Sequence, residues 1–193
     1  MVFPSFKRAM PVSAENSVGQ ETPRLRQLVA DAQRGDMKAF GELYARFSRM
    51  VHGTLLARVP PADAEDLVQE VFLVALRKLK TLRDPAAFGG WLMTIARNRA
   101  MDFYREQNGS VEITDQHARH EPKTQAAMVA AAVLKIIQHL PEAYRDTLVM
   151  RLVEGMTGPE IAERTGLSHG SVRVNLHRGM ELLRHALRNE AGL

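Results

Sequence analysis

The sequence contains no cysteine among its 193 residues. Disulfide bonds, thiolate metal ligands and a cysteine nucleophile are therefore excluded, and the absence suits a cytoplasmic protein. Aromatic residues make up only 6% of the chain, and no apolar run is long enough to span a membrane. The first ten residues lack the apolar core of a signal peptide, so we expect neither secretion nor membrane insertion.

Strand patterns and internal repeats are also missing from the sequence. Apolar residues instead recur every three or four positions, which is typical of amphipathic helices. The periodic segments cover residues 24–34, 36–58, 63–79, 91–106, 128–140 and 141–155. The apolar residues expected to face inward in the last two segments include Met128, Val129, Ile136, Ile137, Leu148, Leu152 and Val153. The sequence therefore predicts an all-α protein.

Two stretches lack the helical period. Residues 1–23 contain three prolines and several serines, and we expect a disordered N-terminal extension. Residues 107–123 are polar and contain Gly109 and Pro122, a composition that is typical of a flexible linker. The pattern thus predicts a first helical domain at 24–106 and a second at 124–193.

The segment 157–187 reads as two helices joined by a tight turn. Thr157 and Glu160 have the spacing of a capping box, Gly166 suits a left-handed helix end, and Ser168 can cap the next helix. From position 168 to 188 four arginines stand against one glutamate, a net charge of +3. This arrangement is typical of a helix-turn-helix that enters the DNA major groove. Many basic amphipathic helices, however, are only solvated faces of a bundle.

One side of the segment 63–79 collects the polar residues Glu65, Asp66, Gln69 and Glu70. Acidic residues near a helix start complement the helix dipole. From the residues alone, this explanation is preferred over a partner-binding acidic face.

Two separated blocks together resemble the extracytoplasmic-function (ECF) group of bacterial RNA polymerase sigma factors. The first block is DAEDLVQEVFLVALRKL, followed by a loop and WLMTIARN. The second is LPEAYRDTLVMRLVEGMTGPEIAERTGLSHGSVRVNLHRGMELLR. They cover most of residues 24–188 in the order of the family, with a short linker between them.

The resemblance implies a sigma region 2 domain at 24–106 and a sigma region 4 helix-turn-helix domain at 124–193. It implies a cytoplasmic factor, nucleoid-associated when bound to polymerase, that is not an enzyme and needs no cofactor or metal. Its expected partners are core RNA polymerase, through clamp and flap, promoter DNA, and an anti-sigma factor. The expected activity is promoter-specific transcription initiation.

The resemblance also implies site residues. Asp66, Gln69 and Glu70 would face the polymerase clamp, which replaces the helix-dipole explanation. The residues expected at the −10 element are Leu82, Arg83, Phe88, Trp91, Arg97 and Asn98, with the loop 80–90 lining a pocket for a flipped base. Those expected at the −35 element are Ser171, Arg173, Val174, His177 and Arg178.

This chain departs from the family pattern at two places. Family members often carry an aromatic residue where this chain has Leu82, directly before the arginine of the loop. The recognition helix often reads Ser-Arg where this chain has Val174 and Asn175. Both departures suggest an altered promoter preference.

Three other classes of function compete with this interpretation. A two-component-type regulator would need a doubly wound receiver domain, and the first half of the chain shows only helices. A helical adaptor would bind other proteins without salt-dependent DNA binding. An enzyme is disfavoured because no phosphate-binding glycine loop occurs. His117 and His120 could form a metal pair, although a solvated pair is the simpler explanation.

Overall fold

The computed structural model describes residues 18–109 and 124–190. These residues form eight α-helices and no strand, which confirms the all-α prediction. The helices are α1 (Val18–Gln33), α2 (Met37–Leu56), α3 (Pro61–Lys78), α4 (Phe88–Gly109), α5 (Gln125–His139), α6 (Glu142–Leu152), α7 (Gly158–Thr165) and α8 (His169–Glu190). Two short 3-10 turns, Leu79–Thr81 and Pro85–Ala87, connect α3 to α4.

Helices α1 to α4 form the first module, in which α2 packs against each of the other three. Its core is made of fully buried apolar side chains, among them Leu43, Phe47, Val51, Leu55, Val71, Phe88 and Leu92. The ring of Phe47 meets the ring of Phe88 edge-on at 5.0 Å, a favourable aromatic geometry. Gly35 has a φ of +99° and Asp36 accepts hydrogen bonds from the Lys38 and Ala39 amides. The predicted break between the first two helices is therefore confirmed.

Several predicted element boundaries were wrong. Helix α1 begins at Val18 rather than near residue 24, and Pro23 lies inside it. Proline removes only one backbone hydrogen bond, and the remaining ladder carries the helix through this position. Residues 107–109 continue α4 instead of starting the linker. The rest of the predicted linker and residues 1–17 lie outside the described residues.

The start of α4 also differs from the prediction, which placed Gly89 and Gly90 in a loop. Asp84 caps the second 3-10 turn by accepting a hydrogen bond from the Ala86 amide at 3.0 Å. That turn leads directly into α4 at Phe88. Helix α3 likewise begins at Pro61, a favoured first helical residue, rather than at the predicted residue 63, so Asp63 lies in its first turn.

Helices α5 to α8 form the second module, centred on the contact between α6 and α8. Gly179 permits this contact, because a Cβ at that position would lie 2.9 Å from a methyl carbon of Leu148. Only the second half of α5 reaches the core, where Ile136 and Ile137 are buried. The inward prediction was wrong for four apolar residues of this module, which are exposed: Met128, Val129, Leu152 and Val153. An apolar stripe shows which face of a helix favours burial. It does not show how much of that face the neighbouring helices cover.

The two modules pack against each other, α2 against α6 and α7, and α4 against α7. The side-chain amide of Gln138 donates to the carbonyl oxygens of Leu56 and Val59, at 2.8 and 3.1 Å. It thereby satisfies carbonyl groups that the end of α2 leaves without helical partners. The sequence predicted two modules on a tether and contained no signal for this contact.

Candidate nucleic-acid interface

The helix-turn-helix consists of α7, a turn at Gly166, and α8. Both halves of the capping box form: the Thr157 amide donates to Glu160 Oε2 at 2.7 Å, and the Glu160 amide donates to Thr157 Oγ1 at 3.3 Å. Gly166 is left-handed at φ +77°. The Ser171 amide donates to Ser168 Oγ at 3.0 Å, so Ser168 caps α8 as predicted.

The residues predicted for the −35 element share one face of α8. Val172 and Leu183 are buried, which fixes the inner side of the helix. The exposed side carries Ser171, Arg173, Val174, His177 and Arg178. Arg173, Val174, His177, Arg178 and Glu181 line a shallow groove on this side. The fold therefore leaves all five predicted residues accessible to a ligand.

The residues predicted for the −10 element are not all accessible. Arg83 and Asn98 are exposed, and Trp91 is half-buried against the core. Leu82 and Phe88 are buried in the core of the first module. Their burial argues against direct DNA contact, because the loop between α3 and α4 packs its apolar side chains inward.

Arg97, the remaining member of this set, is held by carboxylates of the second module. Its guanidinium donates to Asp146 Oδ2 at 2.7 Å and lies 3.4 Å from Glu142 Oε1. Asp146 is buried and also accepts from Arg58 of the first module. Burial acts to lower the pKa of Arg58, but hydrogen bonds to Asp146 and Glu142 outweigh it and raise the pKa. The hydrogen bond from Arg58 in turn lowers the pKa of Glu142. Arg58 and Glu142 therefore stay charged at neutral pH.

Comparison with known proteins places these features in a family. Residues 43–109 match sigma-70 region 2, and residues 130–183 match sigma-70 region 4. The chain is 30% identical over 184 residues to the ECF RNA polymerase sigma factor BldN of Streptomyces coelicolor, covering 89% of this chain and 69% of the relative. It is 36% identical over 159 residues to the RNA polymerase sigma factor CarQ of Myxococcus xanthus, covering 79% and 91%. The chain belongs to the ECF group of RNA polymerase sigma factors.

A solved structure supports the same assignment of fold. The sigma factor resembles CnrH in its complex with the cytosolic domain of CnrY, with a TM-score of 0.56 and 28% sequence identity. The match covers 85% of this chain and 97% of that one. As a member of the family, the protein is a transcription initiation factor that binds core RNA polymerase and promoter DNA and directs initiation at promoters.

The residues of this sigma factor predicted to face polymerase lie on α3. Asp66 and Gln69 are exposed. Glu70 is engaged within the first module, where it accepts a hydrogen bond from Arg99. That hydrogen bond is the main cause of a raised pKa at Arg99. Asp66 and Gln69 are thus available to a partner, whereas Glu70 is shared with Arg99 although 46% of its side chain is exposed.

Sequence reasoning missed the residues that join the two modules of the sigma factor. Arg58 and Asp146 are 88 positions apart in the chain, and Gly89 was taken for a loop glycine. A lone arginine before two prolines and a lone aspartate inside a helix carry no pattern that links them. Only the periodicity could have helped, because Asp146 lies on the side of α6 that also carries the buried Val149 and Met150.

Within residues 18–109 and 124–190, no three His, Asp or Glu side chains are grouped as a metal site would require. His117 and His120 lie outside these ranges. Among the same residues, no helix is long and apolar enough to cross a membrane.

Proposed function

We propose that the second module reads the −35 element with the exposed side of α8, while the first module binds the −10 element and the polymerase clamp. The single observation that carries this proposal is the position of the five −35 candidates on the open face of a helix whose other face is buried. The two units are proposed at residues 24–106 and 124–193, and each contains most of one family match, at residues 43–109 and 130–183 respectively. In this proposal the protein acts in the cytoplasm, on the nucleoid when bound to polymerase, and catalyses no step itself.

Transcription in vitro with core polymerase on a promoter library tests the proposal. Purified chain should join core and direct initiation at a subset of promoters, and the recovered sequences should share spaced −35 and −10 motifs. A chain that joins core but selects no shared motif would contradict the assignment of both DNA surfaces. The library also shows whether Leu82 and the Val174-Asn175 pair accompany an unusual motif.

Arg173 and Arg178 separate base reading from phosphate binding on α8. They are five residues apart, so they are rotated about 140° from each other on an ideal helix and cannot both reach one base edge. Arg173 lies in the first turns, which enter the groove, and is assigned to a base; Arg178 is assigned to a phosphate. Arg173→Ala should cost about 1–3 kcal/mol and relax preference at one −35 position. Arg178→Ala should weaken binding to all promoters alike. It should also reduce the slope of log affinity against log salt concentration by about one.

The acidic side of α3 is proposed to bind the polymerase clamp through Asp66 and Gln69. Asp66→Arg should weaken core binding, because reversing a charge at a complementary interface removes an attraction and adds a repulsion. The matched control is Asp102→Arg, an exposed carboxylate on α4 whose partner Arg105 lies one turn away. If the two variants bind core equally well, Asp66 does not contact the clamp and its role is to complement the helix dipole.

The regulatory partner is proposed to be an anti-sigma factor. The support is the likeness to CnrH, whose solved structure contains the cytosolic domain of CnrY. Such a partner should compete with core polymerase for the chain. A binding protein that leaves core association unchanged would contradict this part of the proposal.

A further inference from the structure

The exposed side of α8 carries one apolar side chain among charged and polar ones. Arg173, Val174, His177, Arg178 and Glu181 line the shallow groove on this side, and Val174 is the only apolar member of the five. Val174 is 44% exposed. A single exposed valine is ordinary on a protein surface. This one requires an explanation because it lies among the residues proposed to contact DNA.

The packing of α8 fixes the direction in which Val174 points. Val172, two positions earlier and therefore about 200° away on an ideal helix, is buried. On the same helix Gly179 lies against α6, where an added Cβ would be 2.9 Å from Leu148. Because both contacts hold the inner side of α8 in place, the helix cannot rotate to bury Val174 against its neighbours.

Val174 also presents its methyl groups in a narrow range of directions. A β-branched side chain on a helix occupies one strongly preferred χ1 rotamer. A ligand therefore meets a preformed apolar surface, and the valine loses little side-chain entropy on contact. Val174 is thus suited to an apolar group at a fixed place and not to a hydrogen-bond donor or acceptor.

In the DNA major groove, thymine presents an apolar group of this kind. Thymine exposes its C5 methyl beside the O4 acceptor, whereas adenine, guanine and cytosine present hydrogen-bonding groups there. A valine seated against those polar edges would remove water from donors and acceptors without replacing their hydrogen bonds. The chemistry of the groove therefore matches Val174 to thymine.

The neighbours of Val174 define where that thymine lies. The Cα of Arg173 is about 3.8 Å from the Cα of Val174, which is close to the rise of about 3.4 Å for each base pair. Arg178 follows four residues later, about 6 Å along the helix axis. Val174 thus lies between the arginine assigned to a base and the arginine assigned to a phosphate.

We propose that Val174 determines specificity at one −35 position by packing against the C5 methyl of a thymine, in the base pair read by Arg173 or in one next to it. The inference rests on the proposed role of α8 at the −35 element and names the chemical group that its apolar residue recognises. Burying one methyl group contributes a factor of about four in affinity. Cytosine methylated at C5 carries the same group at the same place, so it should partly replace thymine there.

The test uses holoenzyme assembled from core polymerase and the full chain, with a duplex promoter recovered from the library. Each thymine of the −35 element is replaced in turn by deoxyuridine, which lacks only the C5 methyl and keeps every hydrogen-bonding group. In competition fluorescence anisotropy, the parent chain should lose affinity about four-fold at one position and much less at the others. V174A should bind the thymine promoter about four-fold more weakly than the parent does. It should not distinguish thymine from deoxyuridine at that position.

Further variants separate recognition of the methyl group from the structure of the helix. V174T keeps one methyl beside a hydroxyl and should retain the discrimination, whereas V174S lacks that methyl and should lose it. The matched control V129A shortens a valine that is 59% exposed on α5, outside the groove, and should leave the discrimination unchanged. With cytosine at the sensitive position, methylation at C5 should tighten binding by the parent chain and not by V174A.

The outcomes distinguish this inference from the function on which it rests. Holoenzyme that shows no preference at the −35 element overturns the proposed function and the inference with it. A preferred element without thymine on either strand, or one in which no deoxyuridine lowers affinity, overturns the inference alone. Discrimination that persists unchanged in V174A also overturns it, because the methyl is then read by another group or through DNA shape. A sensitive thymine more than one base pair from the position relaxed by Arg173→Ala overturns it as well, because Val174 cannot reach that far.

Discussion

The two modules differ in how completely they bury their own apolar residues. In the first module the apolar faces of α2, α3 and α4 close on one another, and side chains such as Phe47, Leu55 and Leu92 are fully buried. In the second module α6 and α8 close on each other, while large apolar side chains remain exposed along α5 and the end of α6. The apolar residues of both modules have the same helical periodicity. The difference in burial therefore depends on which neighbouring helices cover each apolar face.

This difference bears on how each module is stabilised. Burial of apolar surface is the main favourable term in folding, at about 25 cal/mol for each Å² removed from water. The first module obtains most of this burial among its own four helices, although α2 and α4 also pack against the second module. The second module obtains part of it from α2 and α4, against which α6 and α7 pack. We therefore expect the first module to be the more independent unit, and core substitutions to separate the modules experimentally.

The largest effect is expected from Phe88→Ala in the first module. Phe88 is 0% exposed and packs against both Phe47 and Trp91, so its removal leaves a cavity. The cost should be about 3–5 kcal/mol in the free energy of unfolding, measured by urea denaturation without DNA. Leu73→Ala, at a position that is 56% exposed in the same module, should change stability by less than about 0.5 kcal/mol. Normal stability of Phe88→Ala with lost DNA binding would restore Phe88 as a contact residue.

The sequence predicted most of what local chemistry controls. The caps at Thr157 and Ser168 and the left-handed Gly166 were predicted correctly because each depends on residues within four positions. The burial of Leu82 could not be predicted in this way. It depends on α1, since the Gln33 side chain donates to the Leu82 carbonyl oxygen at 2.8 Å and fixes the loop 49 positions away.

The candidate site was likewise predictable where it depends on one helix and unpredictable where it depends on a contact between the modules. The −35 residues were assigned from the family resemblance, and the period of a single helix is enough to orient and expose them. Arg97 was placed on the correct helix, but its engagement with Asp146 requires the two modules to meet. Long-range charge pairing of this kind leaves no periodic trace in the sequence.

An intermediate effect is expected at Gly179, which would sharpen the account of the second module. Gly179→Ala places a Cβ within 3.0 Å of two Leu148 carbons, and Leu148 is fully buried and cannot move aside freely. Overpacking of this kind should cost about 1–3 kcal/mol by thermal or urea unfolding. Gly170→Ala on the same helix meets only the Ser168 hydroxyl at 3.8 Å and should be neutral or stabilising by up to about 1 kcal/mol. Equal effects at both glycines would show that α6 and α8 are less tightly packed than described.

A smaller effect is expected at the cap of α7. Thr157→Ala removes the hydroxyl that accepts from the Glu160 amide and should cost about 1 kcal/mol. Burial acts to raise the pKa of Glu160, but hydrogen bonds from the Thr157 amide and hydroxyl outweigh it, so the pKa is lowered.

The sign of the pH dependence follows from that lowered pKa. The carboxyl has a lower pKa in the folded chain than in the unfolded chain, where it is about 4.3. The cap therefore contributes its full stability above the unfolded-chain pKa and loses it as the pH falls through the folded-chain pKa. Glu160→Gln should therefore lower the free energy of unfolding relative to the parent chain at pH 7, and this difference should shrink toward pH 3. A cost that grows in acid would contradict the assigned hydrogen bonds.

The smallest effect is expected at the exposed half of α5, and it tests the comparison most directly. Met128 and Ile137 belong to the same predicted apolar stripe, but Met128 is 59% exposed and Ile137 only 1%. Met128→Ser should change the free energy of unfolding by less than about 0.5 kcal/mol, because a surface substitution removes little packing. Ile137→Ser should cost several-fold more, since it both opens a cavity and buries a hydroxyl. If the two substitutions cost the same, the first half of α5 must be covered in the free chain, and the second module would then be as self-contained as the first.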